Sequence, residues 1–269
     1  MTYRQRRESC NGGSAAVVLL FALTAGTAGA IDLATARLVD LTHPFDETTI
    51  YWPTARHFQL EVVAHGKTPG GWWYAANNFC AAEHGGTHMD APVHFAEGHW
   101  TADEVPLDRL VGPAVVVDIG AQVARDRNTM LRVQDLEADE ARNGRIPDGS
   151  IVLVRTGWSR YWPDPATYLG TAVPGDTVHL YFPGVSGEAA TWLVTRRRIR
   201  AVGIDTASID RGQSHDFRAH RAFTSANVPI FENLAALEML PVRGATFIGL
   251  PMKIRGGSGG PLRAIAALP

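Results

Sequence analysis

One short segment of the chain is dense in side chains that bind metal ions. Residues 84–95 read HGGTHMDAPVHF, which places histidines at positions 84, 88 and 94 and an aspartate at position 90. The glycines at 85 and 86 permit tight backbone turns, and together with Pro92 they predict a folded loop rather than a helix. Two imidazoles and a carboxylate at one point leave coordination positions open for water and substrate. The segment therefore predicts a metal site formed by His84, His88 and Asp90.

The third histidine of this segment, His94, is a candidate for proton transfer. An unperturbed imidazole titrates near pH 6.5, which suits a base that accepts a proton from a metal-bound water. The spacing leaves two alternatives open, a fourth ligand and a residue that only orients a ligand. A second polar cluster follows later in the chain, and taken alone such scattered groups are typical of a surface: Asp205, Asp210, Gln213, His215, His220 and Glu232.

The elements that must position these side chains are predicted mostly as strands. Short apolar runs recur at 37–41, 58–64, 74–81, 114–119, 151–155, 201–205 and 246–250. A run such as AVVVD at 114–118 indicates a strand buried on both faces, whereas FQLEV at 58–62 alternates and predicts one wet face. Two helices are predicted, one over 133–143 before Gly144 and one over 186–199 with Ser186 as N-cap. This pattern predicts a mixed α/β domain.

Composition narrows the classes of partner. The 269 residues are 45% hydrophobic and 19% charged, which is typical of a globular protein. A net charge of −2 without a basic aromatic stripe gives no electrostatic case for nucleic acid. Two cysteines cannot build a disulfide framework or a cysteine-based zinc site. We therefore expect a small-molecule partner and no nucleic acid.

The first thirty residues are predicted to be an export signal. Arginines at positions 4, 6 and 7 precede an apolar stretch over 15–25, and small residues at 27–30 supply a signal peptidase site. The apolar stretch is shorter than the roughly 20 residues that span a bilayer. We expect residues 1–30 to be removed and residues 31–269 to be a single exported domain, periplasmic and free of the membrane. The choice between the Sec and twin-arginine routes stays open.

The metal-binding segment also resembles the signature of a known family. Residues 84–95 match His-x-Gly-Thr-His-x-Asp-x-Pro-x-His-Phe, which is typical of metal-dependent cyclase-like hydrolases such as bacterial kynurenine formamidase and isatin hydrolase. Further motifs extend the resemblance over most of the chain: DLTHPF at 40–45, FPGVS at 182–186, GIDT at 203–206 and GSGGPLRA at 257–264. Residues 46–54 and 212–217 are more similar to isatin hydrolase than to formamidase. The resemblance implies a swivelling β/β/α-type single domain, with a mixed, barrel-like sheet core and flanking helices, that forms a homodimer.

The same resemblance implies roles for individual residues. His84, His88 and Asp90 would be the metal ligands, and His94 would lie in the catalytic shell. In the isatin hydrolase group the implied ion is one Mn²⁺, with Zn²⁺ as the alternative. Gln213 is then a candidate further ligand, and His220 a candidate catalytic residue in contact with substrate. In formamidases, residues at the spacing of His220 and Glu232 complete a second metal position, so one ion is favoured over two without excluding the second.

Aromatic residues ahead of the metal segment suit a flat cyclic substrate. Phe45, Trp52 and Trp73 are predicted to bind substrate, and Trp52 is the best placed because Trp-Pro fixes an aromatic ring at a chain bend. The predicted reaction opens the cyclic amide of isatin to give isatinate. A metal-bound water attacks, and His94 transfers its proton to the departing nitrogen. Ser225 is a candidate proton relay, with a helix-end cap as its alternative.

Two other functions remain open from the sequence. The first is hydrolysis of N-formylkynurenine to kynurenine and formate by an arylformamidase. The second, from a different class, is a non-catalytic exported protein that binds a metal or ligand. The presence of His94 argues against the binding protein, because a binder has no need of a positioned base.

Overall fold

The computed structural model describes Met1 and residues 32–269. The export signal predicted for residues 1–30 lies outside the described residues, except for Met1. Residues 32–269 belong to one compact unit. Its strands are β1 Arg37–Asp40, β2 Gln59–Lys67, β3 Trp73–Cys80, β4 His88–Asp90, β5 Val111–Asp118, β6 Met130–Leu131, β7 Ile151–Arg155, β8 Gly184–Val185, β9 Ala201–Ile204, β10 Ile230–Glu232, β11 Arg243–Pro251 and β12 Gly259–Leu268.

Six short or medium helices accompany the strands. They are α1 Leu107–Leu110, α2 Gly120–Val123, α3 Val133–Asn143, α4 Pro165–Tyr168, α5 Gly187–Arg197 and α6 Arg218–Thr224, with 3₁₀ turns at Pro92–His94, Trp158–Tyr161 and Leu237–Met239. The two predicted helices are present as α3 and α5. Gly144 ends α3 with a positive φ of 82°, and the Ser186 side chain accepts a hydrogen bond from the Ala189 amide at the start of α5. Among the described helices, none combines the length and hydropathy of a membrane span.

The main sheet closes on itself. Its strand order is β1-β12-β11-β5-β7-β9-β10-β4, and β4 also pairs with β12, so seven strands form a barrel to which β1 is added. The pairs β5–β7, β7–β9 and β9–β10 are parallel, and every pair that involves β1, β4, β11 or β12 is antiparallel. The predicted mixed α/β domain with a barrel-like core is confirmed.

The apolar strand runs divide between two cores. Ala114 and Val116 of β5 pack in a cluster inside the barrel, whereas Val115 and Val117 pack in a second cluster that includes Leu136 of α3. Alternate residues of a strand point to opposite faces, so a strand buried on both faces has a continuous apolar sequence. This burial explains the Val-rich runs that the sequence shows.

Two local predictions are wrong. Residues 88–90, predicted as part of a loop, form β4, because their backbone pairs with both β10 and β12 and so closes the barrel. The strand predicted at 58–64 is present as β2, but it is exposed on both faces rather than one. β2 pairs only with β3, and this two-stranded hairpin stands apart from the main sheet.

Candidate metal centre and active site

Side chains of β4 and β10 form the centre of the site. His88 and Asp90 lie two residues apart on β4, so they share one face, while Met89 between them packs inside the barrel. Glu232 on β10 is directly opposite His88 in the strand register. The barrel therefore presents one imidazole and two carboxylates on the outer side of its wall, and all three side chains are buried.

Hydrogen bonds fix the loop that leads into β4. The Gly86 carbonyl accepts from the Asn233 side-chain amide at 2.7 Å and from His88 Nδ1 at 2.9 Å. Thr87 donates its hydroxyl to the Asn233 carbonyl at 2.7 Å and accepts from the His43 amide. Gly86 has a φ of 58°, and a Cβ there would lie 2.4 Å from the Phe45 ring. Glycine is thus required at this turn, as its conformational freedom suggests.

Three imidazoles turn one nitrogen each toward the two carboxylates. His84 Nδ1 lies 2.6 Å from Asp90 Oδ1, and His88 Nε2 lies 3.2 Å from the same oxygen. His220, on α6, places Nε2 3.3 Å from Asp90 Oδ2 and 3.3 Å from Glu232 Oε1. We call these five residues, together with His94, the donor cluster.

The outer nitrogens of these imidazoles have partners of their own. His88 Nδ1 donates to the Gly86 carbonyl, and His220 Nδ1 donates to Asp210 Oδ2 at 2.8 Å. The Asp210 carboxylate also accepts from the amides of Ala219 and His220, so it holds both the ring and the first turn of α6. An imidazole whose outer nitrogen donates has its inner nitrogen free to bind a metal.

The electrostatics of the cluster favour positive charge at its centre. Burial raises the pKa of Asp90, but the His84 charge and hydrogen bonds from His220, His84 and His88 outweigh it and hold that pKa well below its usual value. Burial lowers the pKa of His220, yet hydrogen bonds to Asp210, Asp90 and Glu232 raise it well above 6.5. Burial and the nearby Asp90 charge raise the pKa of Glu232.

These residues fit a divalent cation. Ligand atoms of His84, His88 and Asp90 lie within 4.8 Å of one another, and those of Asp90, His94 and His220 form a second such group. Among the described residues, Asp90 Oδ2 is buried without a well-aligned hydrogen bond, since His220 Nε2 lies 3.3 Å away in poor geometry. This is costly for a carboxylate oxygen unless a cation faces it. Imidazole and carboxylate donors suit Mn²⁺ and Zn²⁺ alike. The donor set therefore fits a divalent metal ion but does not distinguish between these two elements.

The donor cluster opens into a cavity of about 320 Å³ with largely apolar walls. This volume is at the lower end of the range for small-molecule sites, roughly 300–1,000 Å³. Its larger apolar lining residues are Ile50, Tyr51, Trp52, Phe95 and Phe217. The polar groups are concentrated at the donor cluster, so a ligand would have its reactive group there and its hydrocarbon against the rings.

His94 stands beside the ligands rather than at their centre. Its ring stacks on His84 with centroids 3.9 Å apart and lies 6.0 Å from the His220 ring. Burial lowers the pKa of His94 to about 4, and the neighbouring histidines add to this effect against the opposing pull of Asp90. The imidazole is therefore neutral at neutral pH and has a free lone pair for a proton.

The structure does not bring every predicted site residue to the cavity. Trp52 lines it and meets Phe182 edge-on, and its contact with substrate stays a prediction. Phe45 lies behind the metal loop in a neighbouring cavity, where it supports Gly86 instead of facing the donor cluster. Trp73 is on β3 and is 61% exposed, because the hairpin projects away from the barrel.

Two residues from the later part of the chain also lie away from the cavity. Gln213 is exposed and accepts a hydrogen bond from the Asn128 side chain at 2.9 Å, in a surface depression separate from the cavity. Gln213 thus lies away from the donor cluster, where its side chain is not positioned to bind the same metal ion. Ser225 is the exposed residue that follows α6, and its carbonyl faces His99 Nε2. This position agrees with the helix-end alternative rather than a proton relay at the cavity.

Sequence reasoning missed several residues of the site. Asp210 holds His220, and its only signal was its place in the second polar cluster. Phe95 and Phe217 line the cavity, although each stands in a motif that the sequence already marked. Tyr51, which also lines the cavity, likewise stands in a marked segment, residues 46–54. Asn233 carried no distinguishing signal, because its role depends on contacts between distant parts of the chain.

The fold and the donor cluster together define a class, a barrel-like α/β enzyme with a largely buried histidine–carboxylate cluster that could hold a metal ion. The profile of the putative cyclase family matches residues 39–211, and the chain belongs to that family. It is 31% identical to isatin hydrolase of Roseibium aggregatum over 205 residues, 73% of this chain and 76% of that protein. It is 29% identical to kynurenine formamidase of Salinibacter ruber over 234 residues, 85% of this chain and 96% of that protein.

A solved structure extends the likeness to three dimensions. Isatin hydrolase A from Ralstonia solanacearum superposes with a TM-score of 0.79 at 34% identity, covering 88% of this chain and 93% of its own. The predicted resemblance to the cyclase-like hydrolases, and to isatin hydrolase in particular, is confirmed. So is the predicted enzyme class, since these relatives hydrolyse carbon–nitrogen bonds other than peptide bonds.

Proposed function

We propose that this chain is a metal-dependent amidohydrolase that opens a small cyclic amide, with isatin as substrate and isatinate as product. One observation carries the proposal: a buried donor cluster opens into a small aromatic cavity, with a neutral histidine at its side. The likeness to isatin hydrolases supports the choice of substrate. A flat bicyclic amide would lie against Trp52 and Phe217 and present its carbonyl to the donor cluster.

His84, His88 and Asp90 would hold a single Mn²⁺, with Zn²⁺ as the alternative. When bound, such an ion supplies a Lewis acid that polarises the amide carbonyl and lowers the pKa of a coordinated water. Asp210 would keep His220 directed at the cluster through the 2.8 Å hydrogen bond between them. His220 also lines the cavity, so we retain it as a contact to substrate.

His94 would carry the proton of the reaction. A water oxygen forms the new bond to the carbonyl carbon while His94 accepts the water's proton. The carbon–nitrogen bond of the ring then breaks, and His94 returns the proton to the departing nitrogen. The stacked His84 ring and the edge of Phe95 fix the orientation of the imidazole for this transfer.

A second candidate function is hydrolysis of N-formylkynurenine. The observation that favours it is the second group of donors, Asp90, His94 and His220, which could hold another ion. The 3.3 Å distance of Glu232 from His220 is consistent with such a pair of metal positions. The likeness to kynurenine formamidase supports the same alternative.

We further propose that the enzyme is an exported, periplasmic homodimer. Export depends on the predicted signal at residues 1–30. Dimerisation is supported by the β2–β3 hairpin, whose large apolar side chains lie in solvent in the isolated chain: Leu60, Val62, Val63, Trp73, Tyr74 and Phe79. Contiguous apolar patches on this scale are typical of an interface.

The test compares two substrates on one preparation. The purified chain, expressed with and without residues 1–30 and loaded with Mn²⁺, is mixed with isatin, and loss of isatin absorbance is recorded. Rapid loss in the wild type that disappears in His94→Ala is the expected result, with His179→Ala as an exposed-histidine control. Turnover of N-formylkynurenine instead, with two ions per chain, would replace the isatin assignment by the alternative. Silence on both substrates would contradict both assignments.

A further inference from the structure

The glycine-rich segment at 256–260 packs directly on the metal loop. The Ser258 carbonyl accepts from the Ala91 amide at 2.8 Å, and Gly259 is opposite Asp90 in the register of β12 and β4. A Cβ at Gly259 would lie 2.5 Å from the Met89 carbonyl and 2.7 Å from the His84 ring. The glycines therefore allow a backbone approach that brings Ser258 to His84.

A chain of hydrogen bonds leads outward from His84. Ser258 Oγ lies 2.8 Å from His84 Nε2, on the side of the ring away from Asp90. The Ser258 hydroxyl donates to Glu83 Oε2 at 2.7 Å, and the Ser258 amide donates to the same oxygen at 2.9 Å. Glu83 Oε2 thus accepts hydrogen bonds from two donors of Ser258.

The number of protons available fixes the direction of each hydrogen bond between His84, Ser258 and Glu83. A serine hydroxyl has one proton, and an ionised carboxylate is only an acceptor, so the proton of Ser258 belongs to its bond with Glu83. The hydroxyl lone pair that faces His84 can then only accept. His84 must therefore donate through Nε2–H. In the neutral imidazole, the lone pair of Nδ1 is then available to a metal ion in place of the hydrogen bond between Nδ1 and Asp90.

His84 needs this arrangement more than the other two histidines. The outer nitrogens of His88 and His220 face a carbonyl and a carboxylate, which are acceptors in every state relevant near neutral pH. A serine hydroxyl is different because it can donate or accept. Without Glu83, Ser258 could turn its proton toward His84 and stabilise the wrong tautomer, in which Nδ1 carries a proton and cannot bind a metal.

We propose that Glu83 and Ser258 are positioning residues that hold His84 as the Nε2–H tautomer for metal binding through Nδ1. The inference rests on the proposed metal site and deepens it, because it assigns a use to the closing glycine-rich segment. Outer partners of metal-bound histidines typically change metal affinity by about 10–100-fold. Since Glu83 acts through Ser258, losing both should cost no more than losing Ser258 alone.

The test measures Mn²⁺ affinity by calorimetry in the full chain. Ser258→Ala and Glu83→Ala are each expected to weaken binding by about 10–100-fold, and the double variant is expected to match Ser258→Ala. Glu83→Gln keeps a carbonyl oxygen that accepts from Ser258, so its affinity is expected within about threefold of wild type. Glu188→Ala, which removes an exposed glutamate paired with Arg218, is the control and should have no effect.

A spectroscopic measurement on the wild type does not depend on the variants folding. In the protein loaded with diamagnetic Zn²⁺, long-range ¹H–¹⁵N spectra report which nitrogen of each histidine carries the proton. The expected result is Nε2–H for His84, assigned by its loss in His84→Gln. Coordination through Nε2, unchanged affinity in the alanine variants, or additive losses would overturn the inference. Wild type that binds no divalent cation would instead overturn the proposed function.

Discussion

The donor cluster around Asp90 and the β2–β3 hairpin depart from ordinary side-chain burial in opposite directions. The cluster buries two imidazoles, those of His88 and His220, and two carboxylates on the outer side of the barrel wall, where charged groups are rarely found unless paired. The hairpin leaves Trp73, Val63 and their neighbours in solvent. Under the proposals above, a small cation would complete the cluster, whereas an apolar surface of a second chain would cover the hairpin. The difference between the two regions shows which kind of partner each would bind. Buried polar side chains indicate a cation, and exposed apolar side chains indicate an apolar surface.

The largest expected effect comes from changing a single carboxylate of the donor cluster, with a hairpin variant as the comparison. Asp90→Asn keeps the size of the side chain but removes the charge that faces three imidazoles, so Mn²⁺ binding and isatin turnover should fall together, turnover by on the order of 10⁴-fold. Calorimetry and the absorbance assay measure the two quantities on one sample. Trp73→Ser should leave Mn²⁺ affinity unchanged. A functional Asp90→Asn enzyme would break the assignment of the cluster.

The next prediction distinguishes the metal ligands of the donor cluster from its proton-accepting base. His94→Ala should lower turnover by on the order of 10²–10⁴-fold, because proton transfer is lost, while Mn²⁺ affinity stays within about threefold. The rate constant at saturating isatin and the metal dissociation constant decide between roles. If metal affinity fell as steeply as turnover, His94 would be a ligand and the division would be wrong.

The hairpin prediction concerns association. Val63→Glu combined with Trp73→Glu should raise the dimer dissociation constant by on the order of 100-fold or more, since two charges would have to be desolvated at the interface. Light scattering over a range of protein concentrations measures the change. Val178→Glu replaces an even more exposed valine outside the hairpin and should not alter association. A wild type that is monomeric at all concentrations would remove the proposed use of the hairpin.

Metal binding should also stabilise the fold. A cation that binds only the folded chain at 100 times its dissociation constant adds about 2.7 kcal/mol to the free energy of unfolding. For a domain of this size the melting temperature should rise by on the order of 5–10 °C. Differential scanning calorimetry with and without Mn²⁺ measures the rise, which should vanish in Asp90→Asn and persist in the hairpin variant.

His43 lies between the two regions and yields the smallest effect. It is buried, stacks on Trp162 at 4.2 Å and lines the cavity at the base of the hairpin. Burial lowers its pKa to about 4, so between pH 6.5 and 4 the unfolded chain binds more protons than the folded chain at this residue. Stability due to His43 is therefore complete above pH 6.5 and is lost as the pH falls toward 4.

The pH dependence is measured by urea unfolding. From pH 7.5 to pH 5.0 the neutral His43 should account for a loss of about 2 kcal/mol in the wild type. His43→Phe keeps an aromatic ring on Trp162 and should lose correspondingly less, whereas the exposed His179→Phe should behave like wild type. Equal slopes for wild type and His43→Phe would contradict the buried, neutral state of this histidine.

Much of the fold was predictable because burial on both faces leaves a direct record in the sequence. β5, β7 and β9 are continuous apolar runs, and α3 and α5 carry their own end signals in Gly144 and Ser186. The closure of the barrel was not predictable. β4 is only three residues long, two of them ionisable, and it becomes a strand through pairing with distant β10 and β12.

The site divides in the same way. His84, His88, Asp90 and His94 lie within one short segment, so their spacing alone indicated a metal site. Asp210 and Ser258 reach the cluster only because the fold brings remote segments together. Trp73 illustrates the converse error, because aromatic character predicts burial against some surface without identifying which one, and in this chain the hairpin directs it outward.

The central claim is that the buried cluster binds a divalent cation that the reaction requires. Its most direct test follows isatin turnover while Mn²⁺ is returned stepwise to chelator-treated protein, with bound metal measured by elemental analysis in each sample. The account predicts a rate that rises in proportion to bound Mn²⁺ and reaches its maximum at one ion per chain. Full turnover in protein stripped of metal, or a rate independent of occupancy, would contradict it.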